Sequence, residues 1–84
     1  MSSFYEKEIY NENDFVTNHK DLFEIVKSHF DEKKPIEDFY FSQCLFSDNY
    51  VTVTYILEGA EDYSFMFEAE IGKEREGKGE FAWD

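Results

Sequence analysis

Two adjacent runs decide the fold: Tyr50-Val-Thr-Val-Thr-Tyr-Ile-Leu57 and Tyr63-Ser-Phe-Met-Phe-Glu-Ala-Glu-Ile71. In the first, Val51, Val53, Tyr55 and Leu57 share one face and Thr52 and Thr54 the other. In the second, Tyr63, Phe65, Phe67, Ala69 and Ile71 lie opposite Ser64, Met66, Glu68 and Glu70. Alternation with a period of two, built from β-branched and aromatic residues, marks strands with one buried face. Gly59-Ala-Glu-Asp62 breaks the run between them, and strands joined by so short a turn pair antiparallel.

The pattern extends in both directions. Upstream, Phe39, Phe41 and Leu45 alternate with Tyr40, Ser42 and Cys44, and Ser47-Asp48-Asn49 supplies turn residues. Downstream, residues 72–79 read as a charged hairpin loop. Glu80 to Asp84 then closes a short fourth strand with Phe81 and Trp83 on one side. Before Pro35 the period changes to that of a helix. From Asp14 to Lys33, the residues Phe15, His19, Leu22, Phe23, Val26 and Phe30 recur at three- and four-residue spacing. Asn13 or Thr17 is placed to cap the start, Lys33 and Lys34 suit the negative end of the helix dipole, and Pro35 stops it.

The expected fold is therefore α+β, with one amphipathic helix packed on a three- to four-stranded antiparallel β-meander. One domain spans residues 1–84: an N-terminal segment over 1–12, a helix over 14–33 and the meander over 38–84. Phe4 to Tyr10 offers a further edge strand.

Composition narrows the function. The 84 residues hold 20 acids against 8 bases, a formal charge of −12, yet 20% are aromatic. A disordered acidic chain would be poor in aromatics, so this one folds. No run of about 18 apolar residues is present, and the start lacks a basic segment followed by an apolar one, so neither a membrane span nor a signal peptide is expected. The single Cys44 excludes an internal disulfide framework and suits a reducing, cytoplasmic setting. Direct nucleic-acid binding and attachment to anionic membranes both need clustered cations, which the chain lacks.

Catalytic chemistry finds little to work with. Cys44 lies mid-strand among apolar residues, where a thiol behaves as a small hydrophobe. His19 and His29 are ten residues apart on the helix, not the four that let two imidazoles share a zinc ion, with His19 expected to border the core and His29 to be exposed. Glu37, Asp38, Glu68 and Glu70 could imitate the carboxylate set of a metal-dependent nuclease. The lysine expected beside the second pair is missing, however, and a solvated strand face explains these acids better. No catalytic residue, metal ligand or cofactor is expected.

The informative feature is the charge, which exceeds the magnitude of about 2–8 that solubility of a small domain asks for. Glu68 and Glu70 project from one strand face about 6.6 Å apart, comparable with neighbouring phosphates on a nucleic-acid strand. Glu37, Asp38, Asp48, Glu58, Glu61 and Asp62 fall at element ends and turns, and Glu6, Glu8, Glu12 and Asp14 crowd the N-terminal segment. Tyr5, Tyr10, Tyr40, Tyr50 and Trp83 are candidate aromatic anchors.

In size, charge and aromatic content the chain resembles the small acidic inhibitors carried by phages and mobile elements: uracil-DNA glycosylase inhibitors, anti-restriction proteins, some anti-CRISPR proteins and immunity proteins against nuclease toxins. No motif of theirs aligns residue by residue, so no functional residue is carried over.

The expectation is a non-enzymatic protein that blocks the basic nucleic-acid-binding surface of a DNA- or RNA-acting enzyme. Glu37, Asp38, Asp48, Tyr50, Glu58, Glu61, Asp62, Glu68 and Glu70 are expected to meet the partner. The rival is an accessory subunit that forms a homodimer through an aromatic second face of the sheet, where Tyr40 and Phe46 would oppose Phe39 and Phe41.

Overall fold

The structure, a computed structural model, describes residues 6–83. Five strands form one sheet in the order of the chain: β1 (Lys7–Ile9), β2 (Phe39–Phe46), β3 (Tyr50–Leu57), β4 (Tyr63–Glu70) and β5 (Lys78–Trp83). Every neighbouring pair is antiparallel, so the sheet is a meander. Two helices, α1 (Glu12–Asn18) and α2 (Lys20–Lys27), pack on one of its faces. The class is α+β, as the alternation implied, with one helix and one strand more than expected.

β3 and β4 lie where their periodicity puts them. Val51, Val53, Tyr55, Phe65 and Phe67 are fully buried beneath the helices, and Phe15 and Val26 close the core from above. Burying each such side chain is worth about 1.5–3 kcal/mol relative to leaving it in water. The extra strand, β1, pairs Glu8 with Leu45 and Ile9 with Cys44 at the sheet edge. It falls within the Phe4–Tyr10 segment, of which Phe4 and Tyr5 lie outside the described residues. Asp84, at the end of the expected fourth strand, lies outside them as well.

The single helix expected over 14–33 is two shorter ones. The chain breaks at His19, whose backbone leaves the helical region at φ −136° and ψ 54°. A straight twenty-residue helix would run about 30 Å, longer than an eight-residue strand of about 26 Å. The break keeps both pieces over the sheet: Phe15 stacks on Phe41 at 5.0 Å while Leu22 and Val26 enter the core further along. His19 fills the corner, 5.1 Å from the ring of Phe46 and 6.3 Å from that of Phe15.

Both ends of the helical region also differ from expectation. The cap is Asn11, whose side-chain oxygen accepts from the Asp14 amide at 3.0 Å, and not Asn13 or Thr17. The second helix stops at Lys27 because side chains compete for the backbone there. Ser28 donates its hydroxyl to the Ile25 carbonyl, and the Asp31 carboxylate accepts from the amides of Lys33 and Lys34, each at 2.9 Å. Phe30 is still delivered to the core, 4.6 Å from Phe65 and 5.1 Å from Phe39.

Two features of the sheet depart from simple alternation. A bulge between Phe41 and Gln43 reverses the side-chain parity of β2. Cys44 and Phe46 therefore join Phe39 and Phe41 on the helix side, and Leu45 turns to the other face. β5 begins two residues earlier than expected, at Lys78, because Gly79 within it and Gly77 just before it are covered by neighbouring rings. A Cβ on Gly77 or Gly79 would collide with the rings of Phe67 and Phe65 respectively. Absence of a side chain there lets the two phenylalanines lie over the β5 backbone.

Candidate partner-binding surface

The meander sorts the expected contact residues into two groups at opposite ends of the sheet. At one end, Glu37 and Asp38 sit in a 3-10 turn (Ile36–Asp38) before β2, and Glu58, Glu61 and Asp62 in the β3–β4 turn. The Glu58 amide donates to the Asp38 carbonyl at 3.0 Å, which ties the two segments together. At the other end, Asp48 and Tyr50 belong to the β2–β3 turn and the start of β3, beside Glu68 and Glu70 at the end of β4. Tyr50 is directly opposite Glu70, and the Ile71 amide donates to the Asn49 carbonyl at 2.7 Å. All nine residues are exposed, but they do not make one continuous ridge. The length of β4, about 26 Å, separates the two groups. The same separation keeps Glu37 and Asp38 from converging with Glu68 and Glu70 on a shared cation. Among the described residues no cluster of three or more His, Cys, Asp or Glu side chains could hold a metal ion.

The two ends differ electrically. Near Glu37 and Asp38, Lys33 and Lys34 line a shallow groove with Asp38, Tyr63 and Trp83. The Lys34 ammonium sits 4.8 Å from the Phe81 ring and 5.3 Å from that of Tyr63. Trp83, two-thirds exposed, leans on Tyr63 at 4.4 Å. At the opposite end like charges meet directly. The Glu6 carboxyl is held above the usual carboxylate range, first by a hydrogen bond with the Asp48 side chain, then by repulsion from its charge. Lys73 and Glu70, 3.9 Å apart, are the one ion pair among the described residues, and both side chains are more than half exposed. Exposed pairs of this kind contribute about 0–1 kcal/mol.

Glu68 and Glu70 stand on the sheet face that the helices leave uncovered, as the alternation of β4 predicts. Antiparallel register carries that face across the sheet: Glu8 opposite Leu45, Leu45 opposite Thr52, Thr52 opposite Glu68, and Glu68 opposite Lys78. In the next row Thr54 faces Met66, and Met66 faces Glu80. Glu80 and Met66 were not singled out by the sequence reading. Their place follows once β5 starts at Lys78, which the glycine-rich stretch disguised as loop. Of the candidate anchors, Tyr40, Tyr50, Tyr10 and Trp83 are exposed, and Tyr5 lies outside the described residues. Phe46, the aromatic invoked for an apolar second face, packs instead against the helix-side core and His19.

The groups with reactive chemistry are tied into packing. Cys44 is fully buried, and burial pushes its thiol up to about 12, with Lys7 opposing slightly. The thiolate is therefore scarce at neutral pH. His19 is held below its ordinary range, first by desolvation and then by Lys7, whose ammonium lies 3.5 Å from Nε2. His29, expected to be exposed, is half-buried against the rings of Phe67 at 5.3 Å and Phe65 at 6.1 Å. No helix is long and apolar enough to cross a membrane, among the described residues. Compared with protein-family models, with curated proteins and with solved structures, the chain matches none, so the account of what it does rests on its own surface.

Proposed function

We infer that the protein is an acidic, non-enzymatic binding protein that occupies the cationic nucleic-acid-binding surface of a DNA- or RNA-acting enzyme and so blocks it. One observation carries this reading: the carboxylates of the sheet and its turns are left almost without cationic partners, with a single exposed ion pair among the described residues. Uncompensated charge on a compact scaffold steers association with an oppositely charged surface and fixes its orientation. It also costs the free fold some stability through self-repulsion, which the Glu6–Asp48 contact illustrates.

The test is capture from an extract of the native host on the immobilised protein, eluted by a salt gradient. The reading expects a DNA- or RNA-acting enzyme that elutes as salt rises and whose binding to labelled nucleic acid is competed away by the free protein. A captured protein that binds nucleic acid equally well in its presence would refute the blocking role. The rival reading, self-association through the uncovered sheet face, draws on exposed Tyr40 and Tyr50 but loses Phe46 to the core. It predicts a dimer by sedimentation equilibrium.

A further inference from the structure

The uncovered sheet face has the composition of a contact surface as well as an acidic rim. Its floor is uncharged: Leu45 and Thr54 are each 8% exposed although no helix covers them among the described residues, and Met66, opposite Thr54 on β4, is half-exposed. Tyr50 is likewise about half-exposed at the margin. Around this floor stand Glu8, Glu68, Glu70 and Glu80, with Lys78 on the same face and the Lys73 ammonium 3.9 Å from Glu70. Tyr50, Met66, Glu68, Glu70 and Glu80 line a shallow depression where β3, β4 and β5 meet the β4–β5 loop.

The geometry points to this depression as the docking surface for a basic protein segment in which Arg or Lys side chains flank an apolar one. The inference rests on the binding-protein reading above and names the face that would do the binding. Charge complementarity selects the occupant. A second copy would bring the same acids against themselves, and phosphate-bearing nucleic acid or anionic lipid would be repelled. A cationic protein segment instead places its charges on Glu68, Glu70 and Glu80 and its apolar side chain on Met66 and Tyr50, where removing water from apolar surface adds to the attraction. The group of acids at the other end of the sheet is a poorer choice: Lys33 and Lys34 outnumber Asp38 in its groove, whereas Glu68, Glu70, Glu76 and Glu80 outnumber Lys78 in this one.

Two synthetic probes of equal charge test this: ten-residue peptides that alternate Arg with Leu and Arg with Ser. Each is titrated into the isotopically labelled protein at low salt, with backbone amide shifts as the readout. The expected result is that the Arg–Leu peptide binds roughly tenfold more tightly than the Arg–Ser peptide, about what burying one to two methylene groups supplies. Its largest shifts should fall on residues 50, 66, 68 and 80. Met66→Ser should remove that advantage while leaving Arg–Ser peptide binding and the overall amide spectrum unchanged. Shifts centred on residues 58–62 would overturn the assignment of the face while leaving the broader reading intact. Failure of both peptides to bind would overturn the two together. A dimer that Met66→Arg dissociates would overturn the assignment too, by showing the face already occupied by a second copy.

Discussion

The two layers of the molecule carry very different charge. Residues 12–34, the helices and the loop after them, hold Glu12, Asp14, Asp21, Glu24, Asp31 and Glu32 against Lys20, Lys27, Lys33 and Lys34. That is six acids to four bases, a net charge of −2. Residues 35–83, most of the sheet and its turns, hold eleven acids against Lys73, Arg75 and Lys78, a net charge of −8. A coat serving solubility alone could sit on either layer. Concentration of the excess on the layer with an uncovered face is what a role in binding leads one to expect. The layers also differ in packing: nearly all the apolar burial lies between them, while the outer sheet face keeps only Leu45 and Thr54 from water.

The sharpest way to break this contrast is to cut into each face in turn. Phe65 is fully buried against Phe30 and Phe81, and Phe65→Ala should cost about 3–5 kcal/mol in denaturant unfolding. Met66→Ala, one residue along the same strand but on the outer face, should stay within about 0.5 kcal/mol of the parent. Comparable losses at the two positions would mean that the outer face is covered after all. Gly79→Ala should cost an intermediate amount, about 1–3 kcal/mol, because its methyl group must displace the Phe65 ring. A neutral effect would show that this ring does not lie over β5.

Two groups beside Phe46, His19 and Glu6, respond to pH in opposite senses. His19 takes up its proton less readily in the folded protein than its ordinary value of 6.5, so the unfolded chain binds that proton first. Stability is then complete above about pH 6.5 and declines as pH falls through the lowered folded value. His19→Asn should flatten this decline when unfolding free energy is measured from pH 7.5 to 5.5. The Glu6 carboxyl works in the opposite sense. Its raised value means that the folded state gains relative stability as pH falls through that value towards the ordinary 4.5. The smallest effect is that of salt on the free protein. Added sodium chloride should raise the melting temperature slightly, by relieving repulsion worth about 1 kcal/mol or less. A steady fall would contradict the account of uncompensated charge.

Much of this fold is legible in the sequence because alternation survives wherever strands are regular. β3 and β4 can be read to the residue from their valines, tyrosines and phenylalanines. The bulge in β2 cannot, since one extra residue at Ser42 leaves no mark in composition yet exchanges Cys44 and Leu45 between faces. The break at His19 is equally silent: Phe15, Leu22 and Val26 keep helical spacing on both sides of it, so the stripe looks continuous. β5 hides its start because glycines usually signal a loop, and only the rings of Phe65 and Phe67 explain them.

The candidate site follows the same rule. Glu68 and Glu70 were legible as a pair because they belong to the most regular strand. The division of the other acids between two ends was not, because it depends on which turns the meander brings together. Met66 and Glu80 were missed because their juxtaposition depends on the register of β4 with β5.

The measurement that bears most directly on the central claim is the dissociation constant of the salt-eluted host enzyme as a function of ionic strength, for the parent protein and two charge reversals. The account predicts weakening as salt rises, with Glu68→Lys on the sheet reducing affinity roughly tenfold at low salt and flattening the salt dependence. Glu24→Lys on the helical layer should stay within about twofold. Affinity that ignores salt, or that falls equally for the two reversals, would contradict it.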